Sequence, residues 1–278
     1  MKKLNISNSS IVDLYNTGLS CQKIADQMNV SESFISKKLK ELNITKRSNA
    51  VYRRRSWNEN FFNSITTEEQ AYWLGFLYAD GCVHDKPNGQ KLISLVVKDK
   101  EVIEKFIKAL KGDFKVKQYK DVYGAYLTSK IMFNDLYKLG CVPRKSLLLK
   151  FPIIDKKLIP HFIRGYFDGD GSVFISNPKN YNKTSTIYKS ISVGICGTYE
   201  LLSVLSMYAP INIPKKDKRK QGNIWYSSIS GSKKALAFYN YLYQNATVWL
   251  DRKKNKFEHY FKERGSETTI GRPTGVKV

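Results

Sequence analysis

Two short acidic stretches carry the residues whose types and spacing could do chemistry. GFLYADGCV (75–83) and GYFDGDGSV (165–173) lie 90 residues apart and share two glycines, an aspartate and a valine at the same spacing. The shared aspartates are Asp80 and Asp170, and each follows an apolar run typical of a buried helix. This duplication predicts a site built from two equivalent carboxylates.

Both aspartates are unfavourably placed for helix stability. A carboxylate in the last turn of a helix faces the negative end of the macrodipole, at a cost of about 0.3–1 kcal/mol. We expect Gly81 and Gly171 to end the helices in a left-handed conformation just after Asp80 and Asp170. Two carboxylates this close repel, so either one is protonated or a cation lies between them. A hard divalent ion fits, which predicts Mg²⁺ as cofactor, with Mn²⁺ as a substitute.

Small residues on the two predicted helices indicate how the carboxylates are brought together. Gly75 and Ala79 are four residues apart, as are Gly165 and Gly169, so each pair shares one helix face. Small side chains there allow a neighbouring backbone to come close. We therefore predict that the two helices pack against each other through these four residues.

The elements that follow each acidic stretch occur in the same order. In both copies a helix is followed by two strands, a helix, two strands and a helix, with FKVKQYK and INIPKKD among the predicted strands. Both copies end with an Arg-Lys pair, in CVPRKSLLLKF and VWLDRKKNKF. Two α/β repeats in one chain predict that the repeats pair with each other as two subunits of a dimer would, so we expect the chain to act as a monomer.

The composition favours a folded protein that binds a polyanion. The 278 residues are 42% hydrophobic, and the formal net charge is +23. Such a charge points to nucleic acid rather than to an anionic membrane surface, because no basic amphipathic helix is left over. MKKLNISNSS is not followed by an apolar run, and no run could span a bilayer. We expect a cytoplasmic protein of a bacterial, phage or organellar DNA compartment, not a secreted one.

Three short helices are predicted near the start of the chain, between Ser9 and Ile44. Phe34, Ile35, Leu39 and Leu42 are expected to face inward from the third helix. The short turn before it resembles a helix-turn-helix, and a generic three-helix module is the alternative. The predicted DNA contacts are Ser33, Ser36, Lys37 and Lys40, with Arg53, Arg54 and Arg55 in a basic linker behind them.

WLGFLYADG and IRGYFDGDG resemble the two motifs of the LAGLIDADG homing endonucleases. The resemblance covers Asn58 to Arg264 and includes the approach N-x-x-F-F…E-x-A-Y-W-L-G-F before the first motif. It implies an α+β fold of two αββαββα repeats with antiparallel, saddle-shaped sheets over double-stranded DNA. It also implies that Asp80 and Asp170 are catalytic metal ligands and that Lys145 and Lys253 are the basic-pocket lysines.

Cleavage across a minor groove accounts for the duplication, because the groove is only about 6 Å wide and both strands must be reached. The target is expected to be a long asymmetric site. The predicted sequence-reading residues are His84, Asp85, Lys86, Asn88 and Gln90 in the first repeat, and Asn177, Lys179, Asn180 and Lys183 in the second.

The chain departs from the family pattern at a few positions. Tyr78 stands where the motif usually has its first aspartate, Trp73 and Arg164 replace small or aliphatic residues, and Asp168 is expected to be a polar residue of a helix end. Two other functions remain open: a transcription regulator that binds DNA without cutting, and an intron RNA maturase.

The predicted organisation is a helix-turn-helix domain (1–48), a basic linker (49–66), a first repeat (67–150), a second repeat (151–264) and a flexible tail (265–278).

Overall fold

A computed structural model describes residues 7–47, 56–176, 189–216 and 224–270 of the chain. The chain divides into two compact units, Met1–Ser56 and Trp57–Val278. Each unit has its own hydrophobic core. In the described residues, no helix is both long and apolar enough to cross a membrane.

The N-terminal unit contains three helices, each preceded by a serine that caps it. They are α1 (Asn8–Asn16), α2 (Cys21–Met28) and α3 (Glu32–Glu41). Ile11, Ile24, Ile35 and Leu39 are fully buried between them. The expectation for Phe34 was wrong: its side chain is 36% exposed, because it lies one position before the buried face of α3.

The second unit begins with one αββαββα repeat. Thr67 starts it with a capping box, in which its hydroxyl accepts from the Gln70 amide and the Gln70 side chain reaches back. The elements are α4 (Glu68–Ala79), β1 (Gly81–Asp85), β2 (Lys91–Val97), α5 (Lys100–Ala109), β3 (Lys117–Tyr119), β4 (Val122–Thr128) and α6 (Lys130–Lys138).

The same order of elements then recurs, after two short 3-10 turns at Lys145–Leu147 and Lys156–Leu158. The elements are α7 (Ile159–Asp170), β5 (Gly171–Ser176), β6 (Ser190–Gly197), α8 (Tyr199–Tyr208), β7 (Lys215–Lys216), β8 (Trp225–Ser230) and α9 (Ser232–Tyr243). A final helix, α10 (Asp251–Ile270), comes after α9 and extends the second repeat.

Each repeat folds into a four-stranded antiparallel sheet. The strand orders are β1-β2-β4-β3 and β5-β6-β8-β7, so the two sheets have the same topology. The edge strands β3 and β7 are shorter than predicted, because among the described residues of these segments only Lys117–Tyr119 and Lys215–Lys216 pair with a neighbour. Ile93 and Leu127 pair on the buried face of the first sheet, and Val193 and Ile229 on that of the second.

One continuous core runs through both repeats, and helices α4 and α7 lie within it. Their buried residues include Trp73, Phe76, Phe162 and Phe167. The predicted α+β fold with two αββαββα repeats and antiparallel sheets is therefore confirmed.

Candidate functional site

Helices α4 and α7 meet where each has a glycine. A Cβ added to Gly75 would lie 2.8 Å from the Tyr166 amide nitrogen and would overlap the Phe162 carbonyl. A Cβ added to Gly165 would lie 2.9 Å from the Phe76 nitrogen and would overlap the Tyr72 carbonyl. The contact is reciprocal, so the two helices are related by a local pseudo-twofold axis. Only glycine permits this backbone approach.

The contact continues to the carboxyl ends of the two helices. A Cβ on Gly169 would overlap that of Ala79 and would lie 3.3 Å from the Asp80 carboxylate. The four small residues predicted at the interface are thus placed there together. This close approach brings the carboxyl ends, with Asp80 and Asp170, side by side.

Both helix ends pass directly into a strand. Asp80 is the C-cap of α4, and Asp170 is the last residue of α7. The left-handed glycines expected here are absent: Gly171 is extended, with φ −79° and ψ 162°, and Gly81 does not have a positive φ. Glycine is needed for space instead, because a Cβ at Gly81 would lie 2.6 Å from the Leu77 carbonyl.

The two carboxylates share an unfavourable electrostatic environment. Both aspartates are exposed to solvent at this surface, yet protein surrounds them closely enough to weaken their hydration. Burial, and next the negative charge of Asp80, together raise the pKa of Asp170 to about 6. Burial also raises the pKa of Asp80, although Lys253 and Lys145 oppose that shift. The pair therefore favours a proton or a cation between its members.

Two buried lysines lie against the helix ends. Lys145 donates to the carbonyls of Ala79, at 3.4 Å, and Gly81, on either side of Asp80. Lys253 donates to the carbonyls of Phe167, at 2.6 Å, and Gly169, at 3.1 Å.

The lysines add hydrogen bonds to carbonyls at and just beyond the helix ends, and they place positive charge at the negative end of each dipole. Burial lowers the pKa of Lys253 to about 8. Both lysines also lower the pKa of each aspartate.

Asp168 has a different place from the one expected. Its side chain is 1% exposed, and it accepts hydrogen bonds from the hydroxyls of Tyr72, at 3.0 Å, and Tyr243, at 2.9 Å, and from the Leu250 amide, at 2.8 Å. Burial raises the pKa of Asp168 to about 6, against the effect of these donors. Asp168 is thus the centre of a buried network and not a helix-end polar residue.

Arg164 forms a second buried connection between the repeats. Its guanidinium donates to Glu68 of α4 at 2.7 Å and to the carbonyls of Leu242 and Val248, each at 2.9 Å. Glu68 in turn accepts from the Thr247 amide at 2.6 Å. Sequence reasoning missed this ion pair, and the available signal was an arginine within the otherwise apolar run of a helix predicted to be buried.

The predicted sequence-reading residues of the first repeat lie at one end of its sheet. His84 and Asp85 are on β1, and Lys86, Asn88 and Gln90 belong to the turn before β2. His84, Asp85, Lys86 and Asn88 are exposed, and Gln90 is half-buried. The predicted contacts Arg53, Arg54, Arg55, Asn177, Lys179, Asn180 and Lys183 lie outside the described residues.

The open faces of the sheets add candidates that the sequence reading did not include. On β4, Tyr126 alternates with buried Ala125 and Leu127, and Lys117 lies over the Tyr126 ring at 5.3 Å. On β8, Tyr226 and Ser228 alternate with buried Ser227 and Ile229. The alternation of buried and open positions along each strand was the signal for these residues.

In the N-terminal unit, α3 presents a polar and basic surface. Ser33, Lys37 and Lys40 are exposed and lie on one side of the helix, and Ser36 is half-buried. Phe34 adds an exposed aromatic ring three residues before Lys37. These residues form a continuous polar surface with one aromatic side chain.

The donor set at the helix ends fits a hard divalent cation. Across the described residues, no group of three or more His, Cys, Asp and Glu side chains could hold a metal. The pair Asp80 and Asp170 offers carboxylate oxygens with raised pKa values and access to solvent. Mg²⁺ takes few protein carboxylates and completes its shell with water and phosphate oxygens.

This fold occurs in solved nuclease structures. The meganuclease I-SmaMI, bound to uncleavable DNA with a TTGT central four, is similar with a TM-score of 0.53 and 14% identity, over 72% of this chain and 91% of that chain. I-SmaMI bound to uncleaved DNA in the presence of calcium ions gives a TM-score of 0.53 at 14% identity, over 74% and 92%. The LAGLIDADG meganuclease I-AabMI, bound to uncleaved DNA, gives 0.53 at 10% identity, again over 74% and 92%.

A curated relative is the uncharacterized protein MJ0314 of Methanocaldococcus jannaschii. It is 30% identical over 145 residues, which is 49% of this chain and 51% of that protein. The match thus spans about half the length of the relative.

The class defined by this architecture is a duplicated α+β protein with paired motif helices, as in the LAGLIDADG meganucleases. The LAGLIDADG-like domain model matches residues 67–130 and 158–243, and the chain belongs to that family.

Proposed function

We propose that this protein is a site-specific double-strand DNA endonuclease that uses a divalent metal, Mg²⁺ in the first place with Mn²⁺ as a substitute. The observation that carries the proposal is the pair Asp80 and Asp170 at adjacent helix ends, each with a buried lysine beside it. A protein that only binds DNA gains nothing from two repelling carboxylates at the negative ends of two helices.

The paired helices place one carboxylate for each strand. Two scissile phosphates across a minor groove are separated by a gap about 6 Å wide, so two sites that cut both strands must lie side by side. The glycine contact between α4 and α7 supplies that spacing. The chemistry that a bound divalent cation supplies is a lower pKa for the attacking water and neutralisation of phosphate charge. Asp80 and Asp170 would hold it.

Lys145 and Lys253 keep the helix ends in place and hold positive charge beside the carboxylates. Each uses its ammonium group to bond backbone carbonyls that flank an aspartate, which fixes the direction of the helix end. The same charge favours the negative charge that develops on a phosphate during cleavage. We propose a role for both lysines in the chemical step as well as in the fold.

The DNA would lie on the open faces of the two sheets. These faces carry Lys117 and Tyr126 in one repeat and Tyr226 and Ser228 in the other, and His84 and the β1–β2 turn extend the first. Because the two repeats present different side chains, one chain would read a long asymmetric site as a monomer. The related meganuclease structures with bound DNA support this partner. A DNA substrate also supports an intracellular location.

The test of the proposal is strand cleavage by carboxylate variants. Wild-type protein should cut a plasmid library that contains its native site when Mg²⁺ is present, and sequencing of the ends should give one position per strand. Asp80→Asn and Asp170→Asn should each lose about a thousandfold or more in single-turnover rate while binding DNA at least as tightly. Full double-strand cleavage by both variants would disprove the assignment.

The two other functions would give different results in the same assay. A regulator would bind one duplex site and leave it intact with any divalent ion. A maturase would bind and assist a structured intron RNA, with or without DNA cleavage. Lys145→Met and Lys253→Met test the role of the lysines. A lower cutting rate at saturating protein supports a role in the chemical step. A change in DNA affinity alone indicates that the lysine only contacts a phosphate.

We further propose that α3 of the N-terminal unit contacts DNA beside the cut site through Ser33, Ser36, Lys37 and Lys40. The support is their position on one polar surface and the serine cap that begins the helix. A tethered second module raises affinity without taking part in the chemistry.

The test compares full-length protein with Lys37→Ala/Lys40→Ala. The variant should keep its cutting rate at saturating protein, bind more weakly and show a salt slope shallower by about 2, because two phosphate contacts are lost. An unchanged footprint and an unchanged salt slope would exclude DNA binding by α3.

A further inference from the structure

Tyr78 and Asp168 occupy equivalent positions in the two motif helices. Each is the third residue after the interface glycine, Gly75 in α4 and Gly165 in α7. Both side chains are 1% exposed, and each leaves its helix toward a segment of its own repeat. The residue types differ, because one position has a phenol that donates and the other has a carboxylate that accepts.

Tyr78 holds the segment that leads to Lys145. Its hydroxyl donates to the carbonyl of Leu139, the C-cap of α6. The next residue, Gly140, has φ 93°, and the Tyr78 hydroxyl occupies the space that a side chain there would need. Lys145 follows five residues after Gly140 and returns to the end of α4, where it donates to the Ala79 carbonyl.

Asp168 holds the segment that leads to Lys253. One oxygen of its carboxylate accepts from the Leu250 amide at 2.8 Å, just before α10 begins. The Leu250 carbonyl accepts from the Lys253 amide at 3.1 Å, which closes the first turn of α10. The Lys253 ammonium then returns to the end of α7 at the Phe167 and Gly169 carbonyls.

We propose that Tyr78 and Asp168 are positioning residues, each of which fixes through one buried hydrogen bond the segment that carries the lysine of its own repeat. Both residues hold a backbone segment in place, but Tyr78 does so as a hydrogen-bond donor and Asp168 as an acceptor. This inference rests on the proposed endonuclease function, because it assigns a task to two residues that do not reach the carboxylate surface themselves.

The physical reason is the length and flexibility of lysine. A lysine side chain loses much rotamer freedom when its ammonium group is held in one place. The ammonium group of Lys253 meets its two carbonyls only while the backbone of its segment stays fixed. A displacement of this backbone by about 1 Å would be enough to lower the rate of strand cleavage, because catalytic groups act only within a narrow range of distances.

The test measures cleavage of each strand separately. Tyr78→Phe removes only the hydroxyl that bonds Leu139, and Asp168→Asn replaces an oxygen by a donor that faces other donors. Single-turnover cutting of DNA labelled on either strand should slow about fivefold on one strand for Tyr78→Phe and on the other for Asp168→Asn, the effect of one hydrogen bond. Nicked plasmid should accumulate with both variants.

Two tyrosine variants serve as controls. Tyr243→Phe removes a different hydrogen bond to Asp168 and leaves the Leu250 contact in place. Tyr137→Phe makes the same chemical change as Tyr78→Phe at a side chain that is 54% exposed in the same repeat. Both controls should cut the two strands at equal rates. Equal slowing of both strands by Tyr78→Phe and by Asp168→Asn would overturn the proposal, because general destabilisation has no strand preference.

A second measurement does not depend on cleavage. Acetic anhydride labelling, followed by mass spectrometry, reports the exposure of each lysine in the free protein. Lys145 and Lys253 are 8% and 4% exposed and should label slowly in the wild type. Tyr78→Phe should speed labelling of Lys145 alone, and Asp168→Asn that of Lys253 alone. If the wild-type protein cuts no DNA, the endonuclease proposal fails, whereas unchanged labelling in both variants overturns the positioning proposal by itself.

Discussion

The two motif helices are alike where they touch each other and different where they face their own repeats. Gly75 of α4 and Gly165 of α7 make the same backbone contact from opposite sides. One residue before each glycine, α4 has Leu74, buried in the apolar core, and α7 has Arg164, which donates to the Leu242 and Val248 carbonyls of its own repeat and also pairs with Glu68 of α4. At this position the first repeat thus relies on apolar packing, and the second on a buried charge with hydrogen bonds.

This difference shows which constraints the duplicated site imposes. The mutual contact has no free volume, so both copies keep small residues there. On the side that faces its own repeat, a helix needs only side chains that fill the space and leave no buried polar atom without a hydrogen bond. Several residue types meet that requirement. Sequence identity between the two halves therefore survives at the contact and at the acidic ends.

The largest effect is expected from closing the shared contact. Gly75→Ala and Gly165→Ala should each destabilise by about 4 kcal/mol or more, because the new methyl group meets backbone that cannot move aside. Urea denaturation followed by circular dichroism measures this. The matched control is Gly231→Ala, which stands in open space at φ 95° and should cost only about 1 kcal/mol. If one glycine tolerated alanine and the other did not, the contact would not be reciprocal.

A smaller effect should come from making α7 more like α4. Arg164→Leu gives the second helix the residue of the first, yet it should destabilise by about 3 kcal/mol, because Glu68 and two carbonyls lose their buried partner. The control at the equivalent position of α4 is Leu74→Met, which exchanges two apolar side chains of similar volume and should lower the free energy of unfolding by less than about 1.5 kcal/mol. In a double-mutant cycle, Arg164→Leu combined with Glu68→Gln should lower the free energy of unfolding by less than the sum of the two single changes. Strict additivity of the two losses would contradict the ion pair.

The smallest expected change in stability comes from the acidic helix ends, and here the substitution should stabilise the fold rather than destabilise it. The folded protein raises the pKa of Asp170 from 3.8 to about 6, so the ionised form opposes folding. Asp170→Asn should therefore stabilise the metal-free protein at pH 7, by about 1 kcal/mol after allowance for solvent screening. The gain should be complete above pH 6 and vanish below about pH 4, where both states are protonated. Thermal denaturation in EDTA across this range measures it, and a loss of stability at pH 7 would contradict the sign.

The sequence was sufficient for the order of helices and strands and for the contact between the motif helices, because both depend on local patterns, whereas the antiparallel sheets were implied by the family resemblance. Apolar periodicity gave the helices and strands, and the repeated Gly-x-x-x-small spacing gave the helix contact. The roles of Gly81 and Gly171 were predicted wrongly, since strand β1 or β5 begins at once and leaves no left-handed turn.

The buried network could not be derived in the same way. Asp168 contacts Tyr72, Tyr243 and Leu250, which lie 75 to 96 positions away along the chain. No local pattern encodes such partners, because they depend on how the two repeats pack. Phe34 shows the same limit on a smaller scale: its helix was predicted, but the boundary of the buried face was not.

The continuous core through α4 and α7 also limits how the two halves can evolve. Neither repeat has a core of its own, so the halves should unfold in one cooperative transition and cannot be inherited as independent modules. A recombination that exchanges one half for that of a relative has to match the glycine contact and the buried Arg164–Glu68 and Tyr72–Asp168 contacts that join the repeats. The open faces of the sheets are then free to diversify, and under the proposed function new pairings of half-sites would become accessible in a single genetic event.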